Sequence, residues 1–389
     1  MSPVKIVVAP DKFKGTLTAA QAAGHLADGI LRVLPAADVR RLPVADGGDG
    51  TVDAAVAAGF RRVRTRVAGP TGHAVDASFA IRGTTAVVEL AEAAGLVLLP
   101  AGTPAPLTAS SYGVGQLITE AVRVGARRIV LGLGGSACTD GGAGMVQALG
   151  GRLLDADGVE LPPGGAALRG LARIEAADLQ RRYADLDVVI ASDVDNPLLG
   201  SNGAAAVYGP QKGAGPEDVP VLEAGLARWA EIAELDVHAV GIAAQPGAGA
   251  AGGVGFGALA FLGATLRPGI ELLLDLLGFA AVLDGADLVV TGEGRLDRQT
   301  LHGKAPAGVA AAARGAGVPV VAVAGRVELA PAELEAAGIV KAYALADLAP
   351  DGTDPMAAAG DLAEEAGVVL AKDLSAVTGS PAVKTEDAP

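Results

Sequence analysis

The chain has 389 residues, half of them apolar, and a formal net charge of −14. That length predicts two domains, and the acidic balance argues against nucleic acid or an anionic membrane as the main partner, since both call for a basic footprint. One cysteine, Cys138, excludes an intramolecular disulfide and fits a reducing compartment; with no histidine near it in sequence, it reads as a small buried residue.

Residues 1–5 lead straight into a strand-like segment followed by charges at Asp11, Lys12 and Lys14, unlike a secretory leader, so a cytoplasmic location is expected. Residues 5–10 form a β-branched run that stops at Pro10, as a buried parallel strand does where it enters a site loop. Thr18 is a good N-cap for a helix over 19–34, with Ala22, Leu26, Ile30 and Val33 at helical spacing. Lys12 and Lys14, just before that helix, either meet an anion or are simply solvated. A second strand, over 39–44, runs into Asp46-Gly47-Gly48-Asp49-Gly50. Its two carboxylates, three residues apart, suit Mg²⁺ held through one or two carboxylates and waters.

Residues 63–67, 73–81 and 85–90 alternate like an antiparallel ribbon, and a helix over 114–124 follows Ser110 and Ser111, whose hydroxyls read as caps. The stretch LGLGGSACTDGGAG, 131–144, reads as a strand, a glycine-rich turn and a helix. Ser136, Thr139, Asp140 and the backbone N–H groups of that turn outline an anion site, unless the turn merely connects. A buried strand over 186–191 ends at Asp193, Asp195 and Asn196, a second acidic cluster. Trp229, in a helix over 217–236, reads as core. Residues 239–266 are uncharged and longer than the ~20 residues that span a bilayer, but their glycines, proline and glutamine make them a loop and a buried helix. Within them, 247–257 is so glycine-rich that a ligand or a neighbouring backbone has to approach closely.

The last third alternates strand and helix again. A strand over 287–291 ends in Gly292, Glu293, Arg295 and Asp297; Lys304 opens a helix to 313; strands over 318–324 and 340–345 precede a closing helix over 356–374. This pattern at both chain ends predicts an α/β protein in which 1–62 and 280–374 form a flavodoxin- or Rossmann-like parallel-sheet domain. Residues 63–279 form a second, inserted α/β domain, and 375–389 a disordered tail. Ligands of such sheets sit beyond the carboxyl ends of the strands, so a cleft between the domains is the expected site.

Two chemistries compete for these loops. Phosphoryl transfer needs a phosphate cradle, a metal, cations and a carboxylate that orients or deprotonates the attacking hydroxyl, and all four are available. A nicotinamide enzyme acting on a small hydroxy acid is the alternative, because residues 132–137 fit a loose G-x-G-x-x-A fingerprint with Asp155 at about the distance of a ribose partner. The TDGG that follows has no part in that fingerprint, and no Gly-Lys-Ser/Thr completes a Walker motif.

Taken together, VVAPDKFKGTLTA (7–19), PVADGGDGT (43–51), LGGSACTDGGAG (133–144), ASDVDNPLLGSNGA (191–204), GAAGGVGFG (249–257) and TGEGRLDRQTLHGK (291–304) closely resemble the bacterial glycerate kinases of type 1, in family order over residues 4–372. The resemblance implies ATP-dependent, Mg²⁺-assisted phosphorylation of D-glycerate, to 2-phosphoglycerate in preference to 3-phosphoglycerate, and a two-domain α/β fold with one flavodoxin-like domain. The residue roles are our own inference: Asp193 as base with Asp297 second, and Lys14 beside the transferred group. Lys12, Lys14, Gly134, Gly135, Ser136, Thr139, Asp140, Gly292, Glu293, Arg295 and Lys304 would bind substrate or phosphate, and Asp46, Asp49 and Asp195 the metal. No nucleic-acid or membrane partner is expected, and no segment specifies an oligomer.

Overall fold

The computed structural model describes residues 3–301 and 303–378. Its strands are, in chain order, β1 (Lys5–Pro10), β2 (Asp38–Arg41), β3 (Arg61–Ala68), β4 (Ala74–Arg82), β5 (Thr85–Glu89), β6 (Arg128–Gly132), β7 (Arg152–Leu154), β8 (Arg173–Glu175), β9 (Asp187–Ala191), β10 (Thr265–Arg267), β11 (Leu288–Leu296), β12 (Val320–Val327) and β13 (Ile339–Ala344). The chain divides into two compact α/β units, one up to Val44 and again from Leu274, the other Ala45–Leu273. The first crossing lies earlier than the sequence suggested, before rather than after the Asp46–Gly50 loop, because that loop's backbone packs on strands of the second unit.

The unit made from the chain ends holds a five-stranded sheet in the order β13-β12-β11-β1-β2, parallel throughout. Counted along the unit, this is the order 5-4-3-1-2, the flavodoxin-like arrangement, whose direction of winding reverses between β1 and β11. Ile6, Val8, Val290 and Val323 face one side of the sheet and pack with Leu26 and Ile30 of the helix Ala19–Val33 and with Leu362 and Ala366 of the helix Ala359–Thr378. Their neighbours Val7, Val289 and Ala322 are equally buried, as in a sheet covered on both faces. The first of those helices starts on a reciprocal cap: Thr18 Oγ1 accepts from Gln21 N while the Gln21 side chain accepts from Thr18 N. The closing helix continues past Ser375, where disorder was expected to begin. The remainder of that expected tail, 379–389, lies outside the described residues.

The second unit holds a six-stranded mixed sheet in the order β10-β9-β6-β5-β4-β3. β3, β4 and β5 pair antiparallel, as their alternation predicts, whereas β5, β6, β9 and β10 pair parallel. β10 carries three residues and had no sequence signal, being too short for a period of two to register. Trp229 is fully buried, stacked on Phe261 at 5.0 Å, with its indole N–H donated to Gly141 O. The helix Ala250–Leu262 begins with Ala251, Gly252 and Gly253 in left-handed conformation. What approaches there is the protein itself: Gly252 abuts the Cys138 carbonyl and Lys212 Nζ, and Gly253 the Gly141 Cα and the Leu198 side chain. Among the described residues, no helix is long and apolar enough to cross a membrane.

Candidate active site

In the second unit, β5, β6 and β9 end in register, Glu89 opposite Gly132 and Gly132 opposite Ala191. The Asp46–Gly50 loop crosses these three ends. Gly47, at φ +92°, lies against the Ala191 carbonyl, where any side chain would collide; its own carbonyl accepts from Gly134 N at 3.2 Å. A Cβ on Gly134 would run into Gly48 Cα. At the far end, Gly50 N and Val52 N each donate to Glu89, at 3.0 Å, and Thr51 Oγ1 donates to Gly48 O at 2.6 Å. The loop therefore spans the carboxyl edge of a parallel sheet, the ordinary place for a ligand.

This path sends the two loop carboxylates to different neighbours. Asp46 Oδ1 accepts from Gly48 N and its charge bears on Asp193, whose Oδ1 accepts from Gly269 N at 3.1 Å. Burial pushes the Asp193 carboxyl up to about 6; the Gly269 N–H opposes that, and the charges of Asp46 and Glu271 add to it. Asp49 lies against Gly135 and, with Glu92, bears on Glu89. Burial drives Glu89 to about 7 in spite of its two backbone donors. The charge of Asp195 is felt by the Tyr208 phenol, which donates to Asn196 Oδ1 at 2.6 Å. Among the described residues, no group of three or more His, Cys, Asp or Glu side chains is arranged to hold a metal ion.

The glycine-rich turn is built inward. Asp140, fully buried, accepts from Ser111 N and Oγ at 2.8 and 2.9 Å and from Gly142 N and Gly144 N at 3.2 Å, joining the starts of the helices Tyr112–Arg123 and Ala143–Ala148. Ser110 and Ser111 serve the same junction, Ser110 Oγ accepting from Tyr112 N and Ser111 Oγ from Met145 N. Ser136 and Thr139 are buried, the Thr139 hydroxyl without a hydrogen-bond partner. Cys138 is buried too, and burial pushes its thiol up, away from nucleophilic use. Beneath the turn lies a lysine that composition did not single out: Lys212 is 2% exposed and donates to Cys138 O at 2.5 Å. Burial pulls its ammonium down to about 8, against the opposing pull of Cys138 and Asp140. The dinucleotide reading fails on this geometry. The helix after β6 starts only at Ala143, the glycines 134 and 135 back another loop, and Asp155 is spent in a surface turn, accepting from Asp157 N and Val159 N.

In the unit built from the chain ends, β1 and β11 flank the point where the sheet reverses, and their loops lie together there. Asp11 N donates to Gly292 O at 2.8 Å, and Gly294 sits against the backbone of Phe13 and Lys14. Phe13 is buried as an anchor, which leaves Lys12 partly exposed and Lys14 exposed. Gly292 is buried within β11 against Val323, a structural position. Glu293 is buried; its Oε1 accepts from Thr300 Oγ1 at 2.5 Å and its Oε2 stands 3.9 Å from Lys304 Nζ, at the start of the helix Ala305–Gly315. Asp297 Oδ1 accepts from Gln299 N and Thr300 N, closing a turn. Arg295 is exposed and pairs with Glu328 at 3.6 Å. Lys304 thus stands at a helix start, where partial positive charge and a side-chain ammonium act together.

The chain resembles known proteins along most of its length. The model of the "Glycerate kinase family" matches residues 6–375. A glycerate kinase of Bacillus subtilis (strain 168) is 47% identical over 83% of this chain and 85% of its own, and a glycerate 2-kinase of Escherichia coli (strain K12) is 45% identical over 83% and 85%. Among solved structures, a protein provisionally named glycerate kinase 2 from Salmonella typhimurium LT2 superposes with a TM-score of 0.85 at 41% identity, covering 97% of this chain and 100% of that one.

Proposed function

The chain belongs to the glycerate kinase family, and on that premise we propose that it transfers the γ-phosphoryl group of ATP to D-glycerate, forming 2-phosphoglycerate and ADP. The observation that carries the reading is the family match over nearly the whole chain. The 2-position is favoured because the Escherichia coli relative is a glycerate 2-kinase.

Asp193 is the proposed base. Of the two strand-end carboxylates with raised proton affinity, Glu89 gives both oxygens to backbone, whereas Asp193 has one oxygen so engaged and is the more fully ionised at neutral pH. It would take the hydroxyl proton as the new O–P bond forms and the bond from the γ-phosphorus to the β–γ bridging oxygen breaks, ADP leaving with the electron pair. Asp297, the second candidate, is committed to its own turn. Lys12, Lys14 and Lys304 are proposed to neutralise phosphate or the glycerate carboxylate, with Arg295 at the edge of the group. Buried Glu293 would hold Lys304 toward them. Mg²⁺, when bound, would shield charge on the phosphates; the oxygen donors of Asp46 and then Asp49 suit it, with phosphate and water completing its shell. Asp195, whose charge bears on Tyr208, is the weakest of the three acids for that task. Gly134 and Gly135 are proposed to act as the backing of the Asp46–Gly50 loop, and Ser136, Thr139 and Asp140 as its buried support. Asp193 belongs to the second unit, and Lys12, Lys14 and Lys304 to the unit built from the chain ends.

Two outcomes follow. Mg²⁺-ATP is expected to raise the melting temperature and NAD(H) to leave it unchanged; the reverse pattern in a thermal-shift panel contradicts the kinase reading. Lys14→Ala is expected to lower kcat/KM by about 10²–10³-fold, the usual loss for one preorganised charge at a reacting phosphoryl group. Because Lys14 is exposed, its melting temperature should not move, and near-normal turnover removes Lys14 from the mechanism.

A further inference from the structure

The loop that carries Asp46 is held by a residue outside it. Glu89 ends β5, is 4% exposed, and gives both carboxylate oxygens to the loop's exit: Oε1 to Gly50 N and Oε2 to Val52 N, each at 3.0 Å. The helix Thr51–Ala57 begins at Gly50, which has no side chain to cap it, so the cap comes from a strand 37 to 39 residues away in sequence. The other end of the loop is fixed by Gly134 N on Gly47 O, and its middle by Thr51 Oγ1 on Gly48 O. Between these three ties, Asp46 has its carboxylate folded onto Gly48 N and its charge on Asp193.

We propose that Glu89 is a positioning residue for phosphoryl transfer: through Gly50 and Val52 it sets the Asp46–Gly50 loop and so fixes where Asp46 stands relative to Asp193. The inference rests on the reading that Asp46 and Asp193 take part in the reaction. A cap needed only for the helix could be a neutral Ser or Asn on the loop itself, at lower cost than a carboxylate taken from water. A carboxylate that reaches from β5 instead ties the loop to the sheet whose edge it crosses. Gln at this position keeps the length but turns an N–H₂ toward a backbone N–H, so one of the two ties is lost.

The test is a double-mutant cycle with full steady-state kinetics on the intact chain. Glu89→Gln is expected to lower kcat at least tenfold with a smaller change in KM for glycerate, and Asp46→Asn to lower it further. If Glu89 acts through Asp46, the double variant falls no lower than Asp46→Asn alone. Losses that multiply overturn the proposal, as does a Glu89→Gln kcat within twofold of the parent. An Asp46→Asn variant with normal kcat contradicts the parent reading, a distinct outcome visible before Glu89 is touched. Should Glu89→Gln fail to fold, hydrogen exchange on the unaltered protein decides: the Gly50 and Val52 amides are expected to exchange slowly, and exchange at the rate of open loop amides overturns the anchor.

Discussion

Replacing Asp193 by Asn is expected to lower kcat by about 10²–10⁴-fold, the range for loss of a general base, while leaving the protein as stable as before or more so. The two halves of that expectation have one cause. In the folded chain the carboxyl is pushed up to about 6 from an ordinary 3.8, chiefly by burial. The native state then binds more protons than the unfolded one between about pH 4 and pH 6, so the contribution of this group is fully present below pH 4 and is lost as pH rises through 6. At neutral pH the ionised side chain is a burden on stability, and Asn, whose oxygen can still accept from Gly269 N, removes the burden. A residue whose neutral replacement stabilises but inactivates is one kept for chemistry. In the parent enzyme kcat/KM should climb with pH to a plateau above about 6. Asp193→Asn should lose both the plateau height and that limb. A parent-like kcat for the purified variant would exclude Asp193 as base.

The second large effect is expected at a glycine with no chemistry of its own. A Cβ at Gly134 would overlap Gly48 Cα, where neither side is a flexible side chain that could swing away. Gly134→Ala must therefore push the Asp46–Gly50 loop off the strand ends. Overpacking of this kind costs about 1–3 kcal/mol, and displacement of a reacting-site loop by about 1 Å costs about 10²-fold in rate. Both a lowered melting temperature and a lowered kcat are expected. Gly24→Ala supplies the contrast: nothing lies within 4 Å of that position in the helix Ala19–Val33, and Ala for Gly in a helix interior stabilises by about 0.5–1 kcal/mol. If Gly134→Ala behaves like Gly24→Ala, the loop is not held as described.

Much of this was legible from local chemistry. β-branched runs closed by Pro10 or by acidic loops announced β1, β9 and β11, and Thr18 with the apolar spacing of Ala22, Leu26, Ile30 and Val33 announced the first helix, because those signals are local to one strand or one helix. The order of the sheet was not legible, since β1 lies between β2 and β11 through pairings about 280 residues apart in one direction and about 33 in the other. The Asp46–Gly50 loop looked like part of the first domain because it follows β2, whereas its backbone is claimed by Gly134, Ala191 and Glu89. In LGLGGSACTDGGAG the glycines were open to two readings, ligand approach or backbone approach, and here the neighbours are the loop backbone, Trp229 and Gly253. Glu89 and Lys212 went unselected because what distinguishes them is burial. A lysine inside the apolar, glycine-rich YGPQKGAG was the one local hint for Lys212. A carboxylate closing a β-branched run was the hint for Glu89.

The central claim, that this chain phosphorylates glycerate, is tested most directly by phosphorus NMR of a reaction containing the purified protein, Mg²⁺-ATP and D-glycerate. The account predicts that the γ-phosphorus signal of ATP is lost one for one with the gain of a phosphomonoester coupled to the single C2 proton of 2-phosphoglycerate. ATP left intact in the presence of glycerate, or consumed only to inorganic phosphate, would contradict it.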